Sequence, residues 1–186
     1  MTQIIYDGTY EGWVTAVFEI YEYKLQDIVF AKNEASADLL FSTNHTVITD
    51  EIKVKRVLSG LQKRLSKNGF QGLYHAFLSE TNKIEEIMFR YVHFSNNDVL
   101  ELRKAIRLTG KEAHRMEAFV RFQLTKDQLY YAIVEPDCNV LPLIENHFKS
   151  RYADQRWLIY DAKRKYGIYY DLKNVSNVAI QFNTES

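Results

Sequence analysis

At 186 residues, with 24 Lys and Arg against 24 Asp and Glu, the chain is formally neutral and has the size of one domain or two small ones. Apolar residues make up 46% of it, and only seven Gly and two Pro interrupt them, which excludes a fibrous, low-complexity or wholly disordered chain. The single cysteine, Cys138, excludes an internal disulfide framework and a four-cysteine zinc site. It also excludes an iron–sulfur cluster held by this chain alone, and with it radical-SAM chemistry of the chain's own.

The opening MTQIIYDGTYEGW is acidic and has no basic segment leading into an apolar one, so it does not read as a signal peptide. Its β-branched IIY predicts a short strand, and Asp7-Gly8-Thr9 supplies a turn and a helix N-cap. A helix over 10–26 follows. Trp13, Val17, Ile20 and Lys24 lie on one stripe beside Val14, Phe18, Tyr21 and Leu25, with Glu11, Glu19 and Glu22 opposite. Residues 28–31 and 38–41 are too short and too β-branched or aromatic for helices and read as brief strands or extended loops. A helix is expected from Thr49-Asp50-Glu51 to about position 67, closed by Asn68-Gly69, then a second over 70–79 and a third through Ile84, Ile87, Met88, Tyr91 and Val92. A fourth, over 98–108, ends at Gly110, and a short one over 111–118 follows.

From Phe119 the pattern changes to alternation, and FVRFQLTKDQLYYAIVEP reads as a β-hairpin turning at Lys126-Asp127-Gln128. Residues 140–152 return to helical spacing, with Pro142 tolerated in the first turn. Three further strands are expected at 157–160, 166–170 and 178–182. The fold class is therefore α+β, a central helical block with an antiparallel sheet built mostly from the C-terminal half. With no linker or repeat in view, the expectation is a single domain over 1–186. No apolar run approaches the roughly 18 residues of a membrane span, so a soluble, cytoplasmic protein without membrane contact is expected.

Charge is segregated along the chain. Residues 1–51 carry two lysines against nine acids, a net of −7, whereas residues 103–126 carry seven Lys and Arg against Glu112 and Glu117, a net of +5. Residues 149–165 form a second basic stretch, and the KVKR run at 53–56 with Lys63 and Arg64 a third. If such blocks converge on one face, a neutral total hides a surface that attracts phosphates; the alternative is a set of solvated helix faces. Thirteen Tyr and eleven Phe pose a similar choice between core edges with wet hydroxyls and a platform for stacked bases.

No two of the five histidines, at 45, 75, 93, 114 and 147, are three or four residues apart, so no helical metal pair exists, and neither metal nor cofactor is expected. The glycine-rich nucleotide loops and the GxSxG elbow are absent. The stretch that concentrates reactive chemistry is TGKEAHRMEAFVRF at 109–122. There Lys111, His114 and Arg115 share one side of a helix, and Arg121 follows on the expected strand. These groups suit a phosphate or carboxylate, Arg by its planar fork and His as a proton donor, unless Glu112, Glu117 or Glu135 neutralise them.

YDGTYEGWVTAVFEIYE, RLTGKEAHRMEAFVRFQ and IVEPDCNVLPLIENHFKSRYADQRWLIYDAKRKYGIYYD resemble, in order, a bacterial family labelled probable DNA metabolism protein, a domain of unknown function. The resemblance implies association with a radical-SAM protein similar to spore photoproduct lyase. In other members the domain is fused to a uracil-DNA-glycosylase-like domain, so glycosylase chemistry is not assigned to this chain. Relatives continue beyond the position of Ser186 into a basic segment containing Trp and Tyr, and the expectation is that DNA is bound weakly here or that this is a shortened form.

The leading reading is a DNA-metabolism accessory protein that binds DNA and acts with the radical-SAM partner. Arg103, Arg107, Lys111, Arg115, Arg121, Arg151, Arg156 and Trp157 would form its nucleic-acid surface. Two alternatives stand beside it. One is an enzyme acting on a damaged or modified nucleobase, with His114 and Glu135 as acid and base. The other is a protein-binding scaffold without nucleic-acid contact.

Overall fold

The computed structural model describes residues 1–32, 43–94 and 99–179. The expected strand at 38–41 and most of the one at 178–182 lie outside them. The chain forms two compact units, residues 1–106 and 107–186. Together they make an α+β fold with a three-stranded sheet in the first unit and a five-stranded sheet in the second.

In the N-terminal unit β1 (Thr2–Tyr6) is the central strand of a parallel sheet. It is flanked by β2 (Ile28–Lys32) and β3 (Thr43–Thr46) in the order β2-β1-β3. Gln3 through Tyr6 are all buried, as a central parallel strand covered on both faces requires. Gly8, at φ +78°, makes the tight turn out of β1, and the Thr9 hydroxyl accepts from the Gly12 amide to cap α1 (Tyr10–Glu22). Trp13, Val14, Val17 and Ile20 then enter the core as the spacing predicts. Glu19 does not stay in solvent: it is 8% exposed and receives His45 Nε2 at 2.7 Å and Lys53 Nζ at 2.8 Å. Strand β3, TNHT, carries no apolar alternation, which is why periodicity misses it.

Helix α2 (Glu51–Arg64) starts at Asp50, whose carboxylate accepts the Ile52 and Lys53 amides. It ends earlier than expected. Leu65 is extended and Ser66 caps α3 (Lys67–Leu78) through the Gly69 amide, so Asn68 and Gly69 open a helix rather than close one. Helix α4 (Ile84–Phe94) buries Ile84, Met88 and Val92.

Helix α5 (Val99–Phe119) is continuous through Gly110, a second departure from expectation. A lone glycine weakens a helix interior by roughly 1 kcal/mol relative to Ala. That does not interrupt α5, whose inner face buries Leu102, Ala105, Thr109 and Ala113 along its length.

The C-terminal unit pairs β4 (Gln123–Leu124) antiparallel with β5 (Tyr130–Val134), the hairpin the alternation predicts, with a first strand of only two residues. Helix α6 (Leu141–Arg151) then crosses to β6 (Trp157–Asp161), parallel to β5, and β7 (Tyr166–Tyr170) and β8 (Val175–Val178) complete the sheet antiparallel. Its core gathers Val140, the N-cap of α6, with Ile144 and Phe148 of that helix against Trp157, Ile159, Ile168 and Tyr170. No helix among the described residues is long and apolar enough to cross a membrane.

Candidate nucleic-acid interface

Two buried carboxylates organise the polar side of the C-terminal unit. Glu112, on the inner side of α5, accepts the Arg115 guanidinium at 2.6 Å and the Asp137 amide at 3.0 Å. Arg115 is thereby tied to its own helix and to the loop after β5, and the ion pair holds its guanidinium even more firmly protonated than usual. Asp161, wholly buried at the end of β6, accepts the Lys163 and Arg164 amides and, at 2.8 Å, the Arg164 guanidinium. Arg164 also donates to the Pro136 and Asp137 carbonyls, and Tyr166 donates to Asn139. The segment EPDCN at 135–139 is thus pinned from three sides. Within it burial pushes the Cys138 thiol up, so it is a packed thiol rather than a nucleophile.

His114 and Glu135 do not form an enclosed acid–base pair. His114 projects from α5 with 86% of its side chain exposed and its Nδ1 3.6 Å from Glu117, which His147 also approaches at 3.9 Å. Glu135 is exposed beyond β5.

Arg121 lies past the end of α5 and not on a strand. Its guanidinium donates to the Ala118 and Val120 carbonyls and closes the helix terminus. Arg156 donates to the Asp127 carbonyl and steadies the β4–β5 turn, while Arg151 stands over the Tyr152 ring at 5.9 Å. These three stay exposed. Trp157 is 0% exposed, packed against Phe148, Phe122 and Tyr170, so the stacking role must be corrected: no base reaches its faces.

Arg107 and Lys111 remain. They sit four residues apart on α5, both exposed, with His114 three residues on, and neither forms an ion pair among the described residues. Of the acids on their stretch of helix, Glu112 is occupied by Arg115 and Glu117 faces the two histidines. Arg103, on the part of α5 in the N-terminal unit, is exposed as well, while neighbouring Lys104 pairs with Glu101 at 2.7 Å. The +5 of residues 103–126 is therefore uneven. Arg115 is neutralised locally, whereas Arg103, Arg107 and Lys111 are not.

Sequence reasoning offered Glu112 only as one possible neutraliser of the 109–122 cations and missed Asp161. Both precede their arginine by three residues, a spacing that offered the signal, but burial decides that the pair closes. Among the described residues no three His, Cys, Asp or Glu side chains gather as metal ligands. No curated protein matches the chain. The model of one family covers residues 70–184, more than half the chain, and the protein belongs to that family, described as a domain of unknown function (DUF4130).

Proposed function

We propose that the protein is an accessory factor of DNA metabolism that binds nucleic acid through phosphate contacts. Arg107 and Lys111 would make the phosphate contacts, Arg121, Arg151 and Arg156 of the same unit would add positive charge, and Arg103 precedes them along α5. It would act with the radical-SAM protein that the family resemblance implies. The observation that carries this reading is that Arg107 and Lys111 stand exposed on one helix face while the acids beside them are engaged elsewhere. Unpaired cations at i and i+4 attract phosphate and release its counterions. Arg115 belongs to the fold rather than to this surface, because leaving Glu112 would strand a buried carboxylate.

The test is the salt dependence of binding to short single- and double-stranded oligonucleotides. The parent should show a log–log slope steeper than about −2, and Arg107→Ala with Lys111→Ala should make it shallower by roughly 1.4 to 1.8, two phosphate contacts' worth. Arg103→Ala should remove one further contact. His114→Ala should leave binding and any turnover of damaged DNA as in the parent; loss of turnover in a stable variant would favour the nucleobase enzyme instead. Absence of binding at low salt would leave the protein-binding scaffold, to be examined by capture of the radical-SAM partner.

A further inference from the structure

The N-terminal unit holds a groove of about 530 Å³ between α1, α2 and α4, a volume typical of small-molecule sites. Its floor is apolar, formed by Val17, Phe18, Val57, Leu61 and Val92. Three charged side chains stand on its rim. Arg56 lies over the Phe18 ring at 5.4 Å, Arg64 is close enough to act electrostatically on the Tyr21 hydroxyl, and Glu22 is 3.7 Å from Lys53. Neither arginine forms an ion pair among the described residues.

Arg56, Gly60 and Arg64 follow one another at i, i+4 and i+8 and so share one stripe of α2. A glycine in a helix interior is unfavourable, and a Cβ added at Gly60 would meet nothing within 4 Å, so packing does not require it. What the glycine does is keep the wall low between two guanidinium groups and leave the apolar floor open there.

We propose that this groove binds a mononucleotide unit, its base on the apolar floor beside Phe18 and its phosphate held by Arg56 and Arg64. The parts match the two halves of such a ligand. An apolar and aromatic surface accepts the flat face of a base, and planar guanidinium groups take phosphate oxygens in a bidentate fork. Glu22 supplies an acceptor for a base N–H, as carboxylates do for the cytosine amino group. A ligand with only one half, a bare phosphate or a neutral ring, leaves the other half of the groove unused. The site stands on the N-terminal unit alone and does not depend on the phosphate contacts assigned to α5.

The test titrates the full chain with deoxycytidine 5′-monophosphate, deoxycytidine, inorganic phosphate and a short 5′-phosphorylated oligo-dC, for the parent and for Gly60→Leu, Arg64→Ala and the Arg107→Ala, Lys111→Ala double variant. The monophosphate should bind at least about tenfold more tightly than the nucleoside or phosphate alone, because both halves of the groove act together. Gly60→Leu should weaken it about tenfold or more with a melting temperature no lower than the parent's, since the new side chain fills open groove on a helix that a glycine weakens. Arg64→Ala should weaken the monophosphate but not the nucleoside, and the α5 double variant should bind it as the parent does. Oligo-dC binding that Gly60→Leu weakens identifies a strand end as the source of the ligand; binding of the monophosphate alone identifies a free nucleotide. Equal affinity for phosphate and monophosphate, parent-like binding by a folded Gly60→Leu chain, or no binding of monophosphate or oligonucleotide would overturn the proposal.

Discussion

The two units neutralise their buried carboxylates in opposite ways. In the N-terminal unit the partners come from far along the chain: Glu19 of α1 takes His45 from β3 and Lys53 from α2, and Glu85 of α4 takes Lys32 at 2.9 Å and the Tyr6 hydroxyl at 2.8 Å. In the C-terminal unit the partners are local, Arg115 three residues after Glu112 and Arg164 three residues after Asp161. Long-range pairs tie elements together and draw the acidic N-terminal charge inward. Local pairs close a turn or a helix face and leave the neighbouring cations outside. Separate blocks of charge in a neutral sequence thus become two kinds of surface, and only the local kind can be anticipated from spacing.

The largest effects should come from the C-terminal core. Asp161→Ala removes a wholly buried carboxylate and strands Arg164, whose side chain is only 10% exposed, so a loss of about 3–5 kcal/mol is expected in chemical denaturation. Trp157→Ala opens a cavity among Phe148, Phe122 and Tyr170 and should lower stability by a similar 3–5 kcal/mol, roughly. Unchanged stability in either variant would mean that the strand it belongs to is not packed as described. Glu19→Gln should be milder, about 1–3 kcal/mol, because Lys53 and His45 keep 24% and 25% of their side chains in water and can be solvated when released. A Glu19→Gln loss larger than that of Asp161→Ala would reverse the contrast between the units.

What could be read from the sequence follows the same division. Local signals were legible: the Thr9 cap, the apolar stripe of α1, the hairpin turning near Asp127 and the strands opening at Trp157 and Tyr166. Each depends on residues within a few positions of one another. Strand β3 was not legible because TNHT earns its place only by hydrogen bonding to β1, and α5 ran through Gly110 because burial on its inner face outweighed one weak residue. Among the site residues, Arg107 and Lys111 stayed exposed as cations on one helix face, whereas Arg115 was engaged by the buried Glu112 carboxylate and Trp157 was claimed by burial. The groove along α2 was hidden for the same reason as β3. Arg56, Gly60 and Arg64 read as a basic helix face until α1 and α4 supply the opposite walls.

Acid should weaken both units through carboxylates that accept backbone amides. The Lys53 and Ile52 amides hold the Asp50 carboxyl below its usual value of 3.8, and the Asn174 and Lys173 amides do the same for Asp171. For Asp7 partial burial pushes upward, but hydrogen bonds from Thr49 and Thr9 outweigh it and leave that carboxyl low as well. A folded value below the unfolded one means that the stabilisation is complete above 3.8 and is lost as pH falls through the folded value. Asp50→Ala and Asp171→Ala should therefore be less stable than the parent at neutral pH and converge toward it as pH drops below 3.8. A gap that stays constant across that range would assign the loss to packing instead of to the charged cap.

The smallest effects separate glycines that packing demands from those it does not. At Gly12 an added Cβ would run into the Asp7 carboxylate, which Thr9 and Thr49 hold in place, so alanine there should destabilise, whereas at Gly72 it would meet the end of the Ile106 side chain, which must move aside. Gly60 and Gly110 have open space at the same position, one in each unit. Alanine at either should stabilise its helix by roughly 0.5–1 kcal/mol through the lower entropy of the unfolded chain. At Gly110, which faces solvent on α5, the gain should come with oligonucleotide binding and its salt slope unchanged. At Gly60 the methyl group raises the groove wall between Arg56 and Arg64, so added stability should come with weaker binding of the monophosphate, less than the roughly tenfold loss expected of leucine. A glycine whose replacement by alanine raises the melting temperature and lowers nucleotide affinity together is held open for a ligand; if Gly60→Ala raises both or lowers both, its place on α2 has another cause.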